Sequence, residues 1–344
     1  MKIIASLLFI VLLLVPACNQ KPAEGDSGKK VTIYTHRHYP SDQKLFKQFT
    51  AETGIEVVVR KSKANELIKK IEIEGEKTEA DLLITVDVGR LHLAQNKGLL
   101  QGVTSETLTK NVPSHLHHKD GYWYALTKRA RVVVYSKDRV KPEQLSTYEA
   151  LTDAGWKGKI AVRSSSNIYN QSLLASIIVA NGKEKALEWA KGVVANMERT
   201  PTGNDRDQVK EVAAGKADLA IVNTYYLGKL LNSENADEVK AGEAVKVFFP
   251  NQDGRGTHVN ISGAGVTKYA KNKENAMKLL EFLTSKKAQQ TFAQANYEYP
   301  VHPEVKPSEL VSSWGDFKED QVNLSELGVN NKEAVKTFDL AGWK

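Results

Sequence analysis

From Val31 onward, apolar positions recur in two alternating rhythms. Short β-branched runs at 31–34, 55–59 and 81–86 predict buried strands. Between them the spacing turns helical. Leu45, Phe46 and Phe49 share one face of a helix that Ser41 can cap and Gly54 can stop, a second helix is predicted at 65–73, and a third ends near Gly98. A second series starts with the β-rich run 131–135, with strands predicted at 159–162, 217–222 and 245–249 and helices at 170–180, 184–196, 205–214 and 225–231. The run 259–266 and helices at 274–284 and 286–295 can then close the first sheet. Strands alternating with helices predict α/β lobes whose mixed, mostly parallel sheets are flanked by helices. Two such lobes, 31–129 plus 252–311 and 130–251 plus 312–344, would be hinged by strands crossing near 129–131 and 250–256. Ligands of such folds bind in the cleft, at the carboxyl ends of strands.

The chain before Val31 follows different rules. An apolar run of about 13 residues, Ile3 to Val15, follows Lys2. It is too short for the roughly 20 residues of a membrane span and suits the core of an export signal. Val15-Pro16-Ala17-Cys18 resembles a bacterial lipobox, which implies a signal peptide at 1–17 and lipidation of Cys18. A plain signal peptide cleaved nearby is the alternative, and either makes the protein an exported one. Residues 18–30 mix Pro, Gly and both charges without apolar periodicity, which predicts a flexible tether.

Composition narrows the function. At 344 residues, 41% hydrophobic and 26% charged, the chain has the make-up of an ordinary globular protein. The formal charge of +7, or +6 once Lys2 leaves with the signal, is interspersed along the chain rather than concentrated, which argues against nucleic acid as a partner. Cys18 is the single cysteine, so an internal disulfide and any paired-thiol metal site are excluded. No nucleophile elbow, dinucleotide fingerprint, P-loop or HExxH motif occurs, so no catalytic residue is assigned and a non-enzyme is expected.

The tyrosines carry more information. Of 12, four sit in polar loops that leave predicted strands and lead into predicted helices: Tyr39 beside His38, Tyr169 after Asn167, and the pair Tyr225-Tyr226 after Asn223. Three loops in equivalent places can converge on one cleft. A phenolate is a hard oxygen donor matched to hard trivalent iron, and tyrosinate ligates iron in some haem proteins. Free tyrosine ionises near pH 10, so the metal must displace protons and binding should weaken as pH falls. Four phenolates on Fe(III) leave a net negative charge, which Arg129, Arg131, Arg163 and Lys229 are placed to balance.

The stretches RHYPSD, TGIEVVVRKSKANELI, RSSSNIYNQSL and GNDRDQVKEVAAGKADLAIVNTYYLG resemble the bacterial iron-binding proteins of ABC importers. These belong to the transferrin-like, type II periplasmic-binding group, in particular the subgroup that uses a His-Tyr pair plus three further tyrosines. The resemblance runs from about Val31 to Tyr299 and is most specific in NTYYLG and SSSNIYNQ. It implies His38, Tyr39, Tyr169, Tyr225 and Tyr226 as iron ligands, with Fe(III) the cargo, Fe(II) the variant, and no synergistic anion required. Further implications are an inner-membrane ABC permease as partner, a monomer, and a place on the periplasmic side of the envelope held through Cys18, or on the cell surface of a single-membrane host. Lys229 stands where the resemblance implies an arginine; it keeps the charge and loses the bidentate fork.

Blander readings remain beside these. A protein of the same fold could hold an organic or anionic cargo, with the tyrosines stacking on it and Arg129 or Arg131 pairing its charge. These arginines could instead form a salt bridge between lobes. His36 is expected to be exposed or to support the site, His115, His117 and His118 to lie in a solvated loop, and Asp205-Arg206-Asp207 to be a helix cap with acids in its first turn.

Overall fold

The computed structural model describes residues 29–37 and 39–344. The signal peptide, Cys18, the tether up to residue 28 and His38 lie outside the described residues. Eight strands form the sheet framework: β1 (Lys30–Thr35), β2 (Glu56–Lys61), β3 (Leu82–Val86), β4 (Tyr124–Ser136), β5 (Ile160–Ala161), β6 (Leu219–Asn223), β7 (Val245–Phe248) and β8 (Val259–Val266). Their order is β2-β1-β3-β8-β4-β6-β5, with β7 also paired to β4.

The 13-residue strand β4 belongs to both halves of this order. Residues Tyr124 to Ala130 pair antiparallel with β8, and from Arg131 onward the same strand pairs with β6 and β7. The side-chain alternation of a strand then feeds two cores at once. Val133 and Tyr135 join the larger apolar cluster, which also holds Ile33, Phe49, Ile84 and Leu279, while Val132 and Val134 join a second cluster with Val209, Val222 and Leu230. The chain returns to the first sheet through the turn after β7, where Thr257 pairs with Glu319 before β8 begins.

The sheets are parallel where β1 meets β2 and β3, and where β5 meets β6; every pairing of β4 or β8 is antiparallel, and β4 runs through both sheets. The antiparallel share therefore exceeds what strand–helix alternation predicts, because alternation says nothing about strands that return from the other lobe. The first helix, Pro40–Thr53, starts one residue before the expected cap. Proline at its first position pre-sets φ, and Ser41 is not the cap: its hydroxyl donates to Asn296 Oδ1 at 2.9 Å. The C-terminal helix Asn331–Ala341 packs on Ile168–Asn181 and Lys183–Asn196, and the short helix Ser325–Val329 bridges from Ile168–Asn181 to Val88–Asn96 of the first lobe. No helix among the described residues is long and apolar enough to cross a membrane.

Candidate metal centre

Three strand-to-helix junctions meet in the cleft. Tyr39 is the residue before helix Pro40–Thr53, which follows β1. Tyr169 lies in the first turn of Ile168–Asn181, where the Asn167 side chain accepts its backbone N–H at 3.1 Å. Tyr225 and Tyr226 open the helix Thr224–Leu231 directly after β6. All four phenols line one cavity of about 350 Å³, together with His36, Arg37, Arg206 and Lys229. The Tyr225 and Tyr169 hydroxyls are 3.3 Å apart, and the rings of Tyr225 and Tyr226 stack obliquely with centroids 4.3 Å apart. No group of three or more His, Cys, Asp or Glu able to hold a metal occurs among the described residues; the cavity lining offers four phenols and the imidazole of His36.

Three of the phenols, Tyr39, Tyr225 and Tyr226, are held neutral by their surroundings. Burial is the largest cause for each of them, and neighbouring phenols add to it. Tyr226 is pushed up to about 12; Tyr225 is driven well above the ordinary range; Tyr39 is raised by burial and then by the Glu298 carboxylate, against the pull of Arg37. Each phenolate would oppose ionisation of the next. A multivalent cation removes that conflict by replacing the protons, which is the chemistry such a cluster is suited to.

Fixed positive charge surrounds the cluster. The Tyr169 ring is approached by Arg129 at 5.3 Å, Arg163 at 5.9 Å and Arg131 at 6.0 Å, and Lys229 lies 4.2 Å from the Tyr39 ring centroid and 5.2 Å from that of Tyr225. The four basic residues expected from the sequence thus all reach the tyrosines. Burial lowers the Lys229 pKa, partly offset by Glu298. Arg129 and Arg131 are not simply paired across the lobes: they flank the passage of β4 from one sheet to the other, on one strand face.

Sequence reasoning missed the residues that hold these charges. Asp205, expected only as a first-turn acid, is fully buried and accepts from Arg131 Nη1 at 2.7 Å, from the Asn223 backbone N–H at 2.9 Å and from Arg163 Nη1 at 3.5 Å. Asn204 and Asp207 do form the expected capping box. Arg37, between the two histidines of the first motif, is buried and bonded to Asp42, Thr127 and Glu298, with its guanidinium 4.9 Å from the Tyr39 ring. Burial of an arginine three residues from a helix start has no periodic signature, although Asp42 at i+5 was a visible partner. His36 is half-buried at the cavity wall. The histidine loop is less solvated than expected: His118 is buried against Tyr122 and Trp123, and His117 stacks on Tyr124.

The chain belongs to the bacterial extracellular solute-binding protein family, whose profile matches residues 77–313. Among characterised relatives, iron uptake protein A1 of Synechocystis sp. is 50% identical over 337 residues, covering 96% of this chain and 93% of that protein. The major ferric iron-binding protein of Neisseria meningitidis is 28% identical over 320 residues, covering 91% and 93%. Among solved structures, the Trichodesmium IdiA (FutA) protein in complex with iron and citrate superimposes with a TM-score of 0.90 at 47% identity, covering 92% of this chain and 100% of that one. The ferric binding protein from Campylobacter jejuni gives 0.86 at 44% identity, covering 91% and 100%. The fold is therefore the two-lobed type II arrangement of periplasmic ferric-binding proteins.

Proposed function

We propose that the protein captures iron, as Fe(III), in the cleft between its lobes and delivers it to an ABC permease of the inner membrane. The ligands are Tyr39, Tyr169, Tyr225 and Tyr226, joined by His38, which lies outside the described residues. The observation that carries the reading is the convergence of four phenols from three separate junctions on one cavity without a carboxylate in its lining. The names of the relatives point the same way.

In this reading Tyr39 comes from the lobe 31–129 plus 252–311, and the other three tyrosines from the lobe 130–251 plus 312–344. Closure brings the phenolates together, a hinge motion suited to a fold whose lobes share a strand. The protein makes and breaks no bond in its cargo and acts as a monomer tethered through lipidated Cys18 on the periplasmic side. Arg129, Arg131, Arg163 and Lys229 balance the charge of the phenolates, so that no synergistic anion is required.

The test is titration of the mature protein, with Cys18 removed, by Fe(III) and separately by Fe(II) without oxygen, in buffer free of carboxylate and phosphate. A visible absorption band saturating at about one Fe(III) per chain, as tyrosinate ligation requires, supports the reading. Saturation only after citrate is added would assign the anion a place in the site; the Trichodesmium structure is a complex with both iron and citrate. Absence of binding by either ion would overturn the iron reading in favour of an organic or anionic cargo.

A further inference from the structure

Asp87 is the residue in the cleft whose geometry is least explained by packing. It follows β3 and caps helix Val88–Asn96, yet its backbone has φ 75° and ψ 126°. Such a conformation is costly for a residue with a Cβ and persists only where its surroundings hold it. Here they do so on every side. Its N–H donates to the Ile261 carbonyl at 2.8 Å; Oδ1 accepts from the Gly89 N–H at 2.9 Å; Oδ2 accepts from Asn260 Nδ2 at 3.0 Å. The side chain is fully buried.

Two further contacts give the carboxylate a role beyond capping. Ser172 Oγ donates to Oδ1 at 2.8 Å. Ser172 stands on Ile168–Asn181, one turn beyond Tyr169, in the lobe opposite β3, so this bond crosses the cleft. Arg129 Nη2 lies 3.7 Å from Oδ2, an ion pair too long for a hydrogen bond. Nη1 and Nη2 of Arg129 are buried without a hydrogen-bond partner. A guanidinium with unused donors beside a carboxylate is unusual, because a buried charge is costly unless bonded. In this structure the Asp87 oxygens are taken up by Ser172, Gly89 and Asn260, and the charge of Arg129 is left facing the Tyr169 ring.

We infer that Asp87 is a positioning residue that couples lobe closure to the electrostatics of Tyr169. With the lobes together, Ser172 occupies the carboxylate and Arg129 is directed at the Tyr169 phenolate. When the lobes part, Ser172 leaves Oδ1, the carboxylate loses a donor, and its charge is left to draw Arg129 closer. The phenolate then loses a nearby positive charge as the cleft opens, which favours release of the cation. The inference rests on the proposed reading of Tyr169 as an iron ligand.

The experiment compares wild type, Ser172→Ala and Asp87→Asn for Fe(III) affinity, by competition with a chelator of known strength, and for the maximum of the visible band. Ser172→Ala removes only the bond across the cleft. Its affinity is expected to fall about tenfold, the scale of one hydrogen bond to a charged group, with the band of the loaded protein shifted because the freed carboxylate draws Arg129 off the Tyr169 ring. Asn is tolerated at positive φ, and Asp87→Asn leaves Arg129 unopposed in both states. Its band is expected to shift, and its iron release to lose the acceleration that opening provides. Wild-type affinity in Ser172→Ala, or a wild-type band and release rate in Asp87→Asn, would overturn the inference while leaving the iron reading intact. Failure of the wild-type protein to bind iron would instead remove the reading beneath it.

Discussion

The hydroxyl of Tyr225 donates to that of Tyr169 across 3.3 Å, although the two residues are 56 positions apart and open different helices. Neither helix needs this contact for packing. It exists because β6 and the loop after β5 deliver their helix starts to one point. Replacing either residue by Phe keeps the ring and removes one oxygen. The expected loss of Fe(III) affinity exceeds about 100-fold, beyond the 10–100-fold typical when a group merely supporting a ligand is removed. Competition titration of Tyr169→Phe and Tyr225→Phe measures it, and the visible band should fall in the same variants.

Protonation gives a second expectation. Tyr39, Tyr225 and Tyr226 all have pKa values raised in the metal-free protein, so they are neutral at pH 7. Four phenols losing their protons to one ion release about four protons per iron. A pH-stat or weakly buffered titration should count them, and iron retention should fall steeply with each lowered pH unit. The metal-free fold shows the opposite sense. A folded-state pKa above the unfolded value near 10 stabilises the protein fully below pH 10 and loses that contribution as pH climbs toward the folded value. The unfolding temperature of the metal-free protein should therefore decline on the alkaline side of pH 10, and less so in Tyr225→Phe.

Asp205 holds Arg131 and Arg163 from beneath Tyr169 and is itself fully buried. Asp205→Asn leaves Arg131 charged without its counterion. Removing one partner of a buried pair costs about 3–5 kcal/mol, and chemical denaturation of the metal-free variant should show that loss. The Asn223 N–H, which also relies on this carboxylate at 2.9 Å, makes β6 the element to fray first in hydrogen exchange.

Gly228 offers a steric test of closure. A Cβ there would lie 2.5 Å from Cβ and 2.6 Å from Cγ of Tyr297, at the end of helix Lys286–Asn296 in the other lobe. Gly228→Ala should push the lobes apart at the helix carrying Tyr225 and Tyr226. Overpacking of this kind costs about 1–3 kcal/mol, and here it should appear as weakened iron binding and a larger radius of gyration by small-angle scattering. Removing the obstacle, in Gly228→Ala with Tyr297→Gly, should restore the compact form, since the closest clash is with the Tyr297 Cβ and glycine suits the φ of 56° there.

The sequence made much of this site legible because function and local grammar coincided. The tyrosines stand just past β-branched runs and just before helical ones, so their loops could be placed at strand ends without any tertiary information. What stayed hidden depends on residues far apart in the chain. Asp205 reads as a helix acid because its local role as one is real; its bond to Arg131 spans 74 positions. Asp87 drew no reading from the sequence, because its positive φ is held by Ile261 and Asn260, more than 170 positions away. The direction of β8 was equally invisible, since an apolar run at 259–266 has the same pattern whichever way it enters a sheet.

Strand β4 changes partners between Ala130, opposite Val259, and Arg131, opposite Asn223, within a single peptide step. The axle of any swinging motion therefore passes within reach of Tyr169, whose ring sits about equally close to the arginines on either side of it. Tyr169, Tyr225 and Tyr226 ride on one leaf, and Tyr39 arrives on the other. Under the proposed assignment of the ligands, iron reaching the open protein would meet three oxygens already assembled, with the fourth swinging in afterwards. Loading becomes an ordered sequence in time, set by where along one strand the leaves are hung.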